Sequence, residues 1–255
     1  MKFKSLFISD THLGTRGSKA NELLSFFKDL ECENLFLVGD IFDGWRLQKG
    51  WYWPQEHSTV IQKILRMARK GTKVYYIPGN HDEFMRQFLE HSFGTVELHN
   101  EMIYTSVSGK KYIVIHGDKF DLVTINMKWL SHIGDWAYTA LLNINTALHW
   151  IRSYFRLPYW SLSKWAKRKV KKAVNFISNY ENSLSNYARI KHVDGIICGH
   201  IHQANISVIN DIEYMNCGDW VESCTALVEH ENGIFELIHW ELSDNVDTTD
   251  TGSQH

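Results

Sequence analysis

Apolar positions along the chain fall into two patterns that take turns. The run ending at Ile8, then Leu35 to Val38, Lys73 to Ile77, Lys111 to Ile115 and Gly195 to Cys198 are short and nearly unbroken, as expected of strands buried on both faces. Between the first three lie groups at helical spacing: Leu23, Leu24, Phe26, Phe27 and Leu30, then Val60, Ile61, Ile64, Leu65 and Ala68. The second group ends at Gly71, a residue suited to the position just past a helix. Strand, helix, strand in this order predicts parallel βαβ units of right hand. Leu98 to Ser106 reads as a further strand, joined to the run at Lys111 through a turn at Ser108-Gly109. After residue 200 the runs become short and close together, at Ile206 to Ile209, Tyr214 to Cys217, Ala226 to Val228 and Ile234 to Trp240. A mixed α/β fold follows, with one domain expected over residues 1–255.

Three stretches depart from this alternation. Residues 42–53 hold Phe42, Trp45, Trp51, Tyr52 and Trp53 with Arg46 and Lys49 among them; rings so placed either cover the sheet edge or line a substrate cleft. From about 122 to 192 the pattern becomes helical and rich in tryptophan, with Trp129, Trp136, Trp150, Trp160 and Trp165. No Asp or Glu occurs between Trp136 and Tyr180, while Arg152, Arg156, Lys164, Lys167, Arg168, Lys169, Lys171 and Lys172 crowd its second half. This stretch is expected to be a helical insertion. It either lies against anionic headgroups or roofs an apolar pocket, or is a solvated basic helix packed by tryptophans. The tail from about 243 to 255 is polar and acidic, and disorder is expected there.

Composition narrows the class of protein. Hydrophobic residues make up 44% of 255 residues, enough for a sizeable core, and a net charge of −2 gives no reason to expect nucleic acid as a partner. Cys32, Cys198, Cys217 and Cys224 form no C-x-x-C pair and read as buried thiols of a reducing compartment. The N-terminus runs straight into a strand, and no apolar stretch reaches the roughly 18 residues that mark a membrane span. A cytoplasmic protein, free or peripheral on a membrane, is expected.

The chemistry sits where the strands end. Asp10-Thr11-His12, Gly39-Asp40 with Asp43, Pro78-Gly79-Asn80-His81-Asp82, His116-Gly117-Asp118 and Gly199-His200-Ile201-His202 each follow an apolar run. Ligands of open α/β sheets bind beyond the carboxyl ends of strands, where these five loops would meet. Asp10 and His12 are two apart, as are His200 and His202, so in extended backbone each pair would leave one face and could grip one ion. Asp, His and Asn together suit Mn²⁺, Fe²⁺ or Zn²⁺ better than Mg²⁺ or Ca²⁺. Asp43 and Asp118 read as groups that orient a ligand. The remaining histidines, His57 among them, read as surface or core residues.

In this order D-x-H, G-D, G-N-H-D, H-G-D and G-H-x-H resemble the calcineurin-like metallophosphoesterases, over residues 6 to about 240. That resemblance implies a two-sheet α/β/β/α sandwich carrying the helical insertion as a cap. It implies two divalent metal ions, Mn²⁺ foremost with Fe²⁺ or Zn²⁺ as alternatives, held by Asp10, His12, Asp40, Asn80, His116, His200 and His202. Asp40 would bridge the ions and Asn80 would also lie near the phosphate. His81 would act on the leaving group or the phosphoryl oxygens, with Asp82 orienting it.

Gly39 to Arg46, the insertion after His116-Gly117-Asp118, and Asn216 to Ser223 look most like the UDP-2,3-diacylglucosamine pyrophosphohydrolases, peripheral enzymes of lipid A synthesis. The implied reaction splits the pyrophosphate of an acylated UDP-sugar into UMP and the lipid monophosphate, with Asn80, Arg16, Trp45 and Arg46 expected at the substrate. One position departs: the best-known branch has Arg where this chain has His81. A phosphodiesterase or phosphatase acting on soluble nucleotides or phosphoproteins is therefore the alternative. A non-catalytic scaffold would show broken ligand sets, and here every position is filled.

Overall fold

The structure is a computed structural model, and it describes residues 1–89, 91–120 and 162–241. Two mixed sheets pack face to face. The first contains β1 (Lys2–Ile8), β2 (Glu31–Val38), β3 (Lys73–Ile77), β4 (Ser92–Phe93), β5 (Val96–Leu98), β11 (Thr225–Glu229) and β12 (Phe235–His239), in the order β12-β11-β1-β2-β3-β5-β4. β1, β2, β3 and β5 run parallel, as the early alternation of strands and helices predicts. The second contains β6 (Met102–Thr105), β7 (Lys111–Val114), β8 (Gly195–Cys198), β9 (Asn205–Ile209) and β10 (Ile212–Asn216), in the order β6-β7-β8-β10-β9, with β7, β8 and β10 parallel.

Side-chain alternation along the strands makes three apolar layers. In β1, Leu6 and Ile8 point to one core while Phe7 points to another; in β2, Leu35 and Leu37 divide from Phe36 and Val38 in the same way. The outer layer on the first sheet joins those residues to Leu23, Phe26 and Phe27 of α1 (Ala20–Phe27) and to Val60 and Ile64 of α3 (Gln55–Arg69). Between the sheets, Phe7, Phe36, Val38 and Ile77 meet Val114, Ile197 and Met215. On the far side Ile113, Ile196 and Tyr214 pack against Tyr180, Leu184 and Ala188 of α4 (Leu162–Ile190). Helix, sheet, sheet, helix is the sandwich expected, and burial on both faces explains why the central strands read as continuous apolar runs.

Two local readings differ from the expectation, at Leu98 to Ser106 and in the aromatic loop. Leu98 to Ser106 is two strands: β5 ends at Leu98 in one sheet and β6 begins at Met102 in the other. His99, Asn100 and Glu101 make the crossing, a change of sheet that apolar content does not signal. The aromatic loop contains α2 (Gly44–Lys49), whose start is capped by Asp43 accepting the N–H of Arg46 at 2.9 Å. Glu83–Phe88, after the G-N-H-D motif, forms a 3₁₀ helix. The helix end at Gly71 is as expected, with φ +106° there. The four cysteines are free and buried. Residues 122–161 of the expected insertion and the tail from 243 lie outside the described residues. α4 covers the rest of that stretch, and its last turns form the far apolar layer.

Candidate metal centre

All five motifs meet at the carboxyl ends of β1, β2, β3, β7 and β8. Asp10, His12 and His202 form one cluster of potential ligand atoms and Asp40, His116 and His200 a second, while a third, His12, Asp43 and His81, shares His12 with the first. His202 Nε2 lies 3.2 Å from Asp10 Oδ1 and His12 Nε2 lies 3.8 Å from the same atom. Asp40 Oδ2 stands between the clusters, 3.9 Å from His12 Nε2 and 3.3 Å from His116 Nε2. The other oxygen of each aspartate is engaged by backbone: Asp10 Oδ2 accepts the N–H of His200 at 2.9 Å, and Asp40 Oδ1 that of His81 at 2.7 Å. Each carboxylate is therefore tied to a second motif and presents one remaining oxygen inward.

The pairs two residues apart converge by a different route from the one expected. Asp10 (φ +53°), His12 (φ +46°), Asp40 (φ +53°), His200 (φ +73°) and His202 (φ +53°) all adopt left-handed backbone rather than extended strand. Non-glycine residues rarely occupy that region, and strain of this kind gathers at functional sites. Cross-strand bonds hold it in place: Asp10 N–H to Gly39 O, His12 N–H to Asp40 O, and Gly199 N–H to His116 O. The glycines of the motifs are required by close approach. A Cβ on Gly79 would collide with the Asp40 carboxylate and stand 2.7 Å from His116 Cδ2, and one on Gly39 (φ +78°) would strike the His116 ring.

Several atoms that would face an ion make no hydrogen bond. Asp10 Oδ1, Asn80 Oδ1 and His116 Nε2 are buried without a hydrogen bond, an arrangement that costs free energy unless something else satisfies them. The Nδ1 of His116 lies 2.8 Å from the carbonyl of Val38; a carbonyl only accepts, so the proton sits on Nδ1 and Nε2 of the neutral ring is left to coordinate. The donor set, carboxylate and amide oxygens with imidazole nitrogens, fits a borderline divalent cation.

Electrostatics of the metal-free centre give a pH prediction. Burial opposes charge on His116, yet the facing Asp40, with Asp10 and Asp118 beyond it, holds that imidazole up to about 10. Burial likewise opposes charge on His202, and Asp10 outweighs it, raising the group to about 9. Burial would lift Asp10 as well, but His202 and His116 hold it down to about 2. Both imidazoles are then protonated at neutral pH and must lose a proton to bind metal. Titrating Mn²⁺ into the metal-free protein at pH 7 should release protons, and the release should fade as pH rises through about 9 and 10. Metal uptake at pH 7 with no proton release would contradict this.

His81 stands at the edge of the clusters, its Nε2 4.0 Å from Asp40 Oδ2 and its ring 4.2 Å from that of Trp45. Asp82 does not orient it, contrary to expectation. Adjacent side chains diverge, and the buried Asp82 carboxylate accepts from Gly79 N–H at 2.6 Å, from Ile41 N–H at 2.8 Å and from the Tyr76 hydroxyl. Asp82 thus braces the loop after β2 against the loop after β3. Asp43 is the carboxylate that faces it: its Oδ1 lies 3.1 Å from His81 Nδ1, and its Oδ2 3.5 Å from His12 Nδ1. Burial works against ionisation of Asp43, but His12, His81 and the Arg46 N–H hold its pKa well below the usual range.

Among the residues expected at the substrate, Trp45 packs on His81 beside the clusters, Asn80 has a buried side-chain oxygen in the loop before His81, and Arg46 is exposed on α2. The exposed Arg16 places its guanidinium 5.0 Å over the Tyr52 ring. Residues not singled out from sequence support the loops from behind. His57, buried in α3, accepts the N–H of Gly14. The Tyr180 hydroxyl and the Asn216 amide both donate to the carbonyl of Gly199, at 3.2 and 2.8 Å. Only Asn216 carried a signal, as part of the segment ending at Ser223 that resembles the pyrophosphohydrolases.

A two-sheet sandwich with paired Asp/His clusters at one edge describes a metallophosphoesterase. The chain belongs to the calcineurin-like phosphoesterases, whose family model matches residues 3–204. It is a metal-dependent phosphoester hydrolase, of a family with dimetal centres. Among curated relatives it is similar to the UDP-2,3-diacylglucosamine hydrolase of Histophilus somni (strain 129Pt), 26% identical with 92% of this chain and 99% of that one covered. The protein of the same name from Vibrio atlanticus (strain LGP32) is 26% identical, with 94% and 98% covered. Of solved structures, the E. coli phosphoesterase Yfce matches over 93% of this chain and 99% of its own, with 13% identity and a weak TM-score of 0.44.

Proposed function

We propose that this chain hydrolyses the pyrophosphate of UDP-2,3-diacylglucosamine, giving UMP and the lipid monophosphate of lipid A synthesis. The observation that carries the reading is end-to-end similarity to proteins named for that substrate, 92% of this chain against 99% of the relative. In this reading Asp10, His12, Asp40 and His202 hold one divalent ion, and Asp40, Asn80, His116 and His200 the other, with Mn²⁺ the first choice. When bound, the ions supply Lewis-acid polarisation of the phosphoryl oxygens and of water.

The chain's own residues do the rest. Asn80 would offer its side-chain amide N–H to the phosphoryl group. His81 carries the proton for the leaving lipid phosphate on Nε2, while the Asp43 carboxylate at Nδ1 stabilises the imidazolium. Trp45 covers the His81 ring and limits water there. Arg46 and Arg16 meet the negative charge of the nucleotide or sugar phosphate.

The test is UMP release with added Mn²⁺, comparing the diacylated UDP-sugar with the same sugar lacking acyl chains and with a small aryl phosphodiester. The acylated substrate should be preferred by a wide margin. Rapid turnover of the aryl diester with indifference to acyl chains would favour the second reading, a broader phosphodiesterase or phosphatase on soluble nucleotides or phosphoproteins. The His81 departure is what keeps that second reading in view.

Such a substrate lies in a membrane, so the enzyme would work in the cytoplasm at the surface of the inner membrane. No helix among the described residues is long and apolar enough to cross one. The basic first half of α4 is the candidate contact, since each Lys or Arg near an anionic surface gains about 1 kcal/mol, an effect that salt screens. Replacing Lys167, Arg168, Lys171 and Lys172 with Gln should weaken binding to anionic vesicles and raise KM for the acylated substrate. The rate on a small soluble diester should hold. Equal losses on both substrates would show instead that these residues support the helix.

A further inference from the structure

The two loops that deliver Asn80 and His116 hang from different sheets, β3 of the first and β7 of the second. Their spacing leaves no slack, since an added Cβ on Gly79 would press on His116. Among the described residues, a cleft of about 160 Å³ opens between the loops, lined by Pro78, Arg86, Ile115, His116, Asp118 and Tyr187. Packing alone therefore does not fix their separation on that side.

One side chain joins them there. Arg86 extends from the 3₁₀ helix after the G-N-H-D motif, and its Nη2 donates to Asp118 Oδ2 at 2.8 Å and to the carbonyl of Pro78 at 3.2 Å. Pro78 lies two residues before Asn80, and Asp118 two residues after His116. The pair is mostly shielded, with side-chain exposures of 25% and 13%, so it is screened less than a surface ion pair.

We propose that the Arg86–Asp118 pair is a positioning device for one metal site only, the site formed by Asn80, His116 and His200 with Asp40. By fixing the gap between the two sheets' loops it sets the distance between an amide ligand and an imidazole ligand. Neither residue touches the reacting atoms. Apart from the shared Asp40, the Asp10, His12 and His202 set takes no ligand from either of the two loops that the pair joins, so it should be indifferent to the pair. The inference rests on the dinuclear reading above.

The experiment is a Mn²⁺ titration of metal-free wild type, Arg86→Gln, Asp118→Asn and the double variant, with thermal unfolding in parallel. Wild type should bind two ions. Each variant should keep one ion at wild-type affinity and hold the other more weakly, by about 10- to 100-fold, the usual cost of losing a partner behind the ligands. The double variant should be no worse than the singles, because all three break one link. Activity lost at limiting metal should return when Mn²⁺ is raised. Two ions bound with unchanged affinity would overturn the proposal, as would equal weakening of both, which marks a general structural role. Should Arg86→Gln fail to fold, Asp118→Asn breaks the same link from the other side. A wild type that binds fewer than two ions defeats the dinuclear reading itself, an outcome distinct from failure of the pair.

Discussion

Asp40→Ala is expected to abolish turnover and to strip the centre of both ions. Its Oδ2 lies between the two clusters, within 4 Å of His12 and His116 nitrogens, so a single truncation takes a ligand from each. The same change releases the N–H of His81, which Asp40 Oδ1 holds at 2.7 Å, and removes a carboxylate that faces His12, His81 and His116. Charge stabilisation by metal amounts to several kcal/mol, and since about 1.4 kcal/mol is tenfold in rate, the loss should be roughly a thousandfold or more. Metal analysis of the purified variant and its residual rate check this together. A variant that keeps both ions and a measurable fraction of the rate would show that Asp40 bridges nothing.

His81→Ala should separate chemistry from metal binding. The ring sits outside both histidine–aspartate clusters assigned to the ions, 4.0 Å from Asp40 Oδ2, with Asp43 at its other nitrogen. Loss of a positioned acid should lower kcat by about 10²- to 10⁴-fold while both ions stay. Asp43→Asn should lower kcat in the same direction, because the imidazolium loses its facing charge. The Asp82→Asn variant instead should lose stability, as that carboxylate braces Gly79, Ile41 and Tyr76. Unchanged turnover in His81→Ala with both ions bound would remove His81 from the reaction.

The contrast between Asp43 and Asp82 shows where a sequence stops being informative. Asp82 is next to His81 in the chain and reads from sequence as its partner, yet neighbouring side chains point apart, and Asp43 arrives from another loop because it caps α2. No local pattern encodes that approach. The convergence of the motifs is legible, since each follows an apolar run whose end fixes its place at the sheet edge. Their backbone was not: the D-x-H and H-x-H spacings suggested extended strand, whereas left-handed residues held by bonds from a neighbouring strand bring the pairs together. The βαβ beginning was readable from periodicity because helices and strands there are long and regular. The passage from β5 to β6 was not, because both strands are short and apolar and the change of sheet happens in three polar residues.

The most direct measurement is anomalous diffraction from crystals of the Mn²⁺-loaded protein. Two peaks are expected, one among Asp10, His12 and His202 and one among Asn80, His116 and His200, with Asp40 contacting both. A single peak, or ions bound away from these side chains, would contradict the dinuclear centre and the hydrolysis built on it.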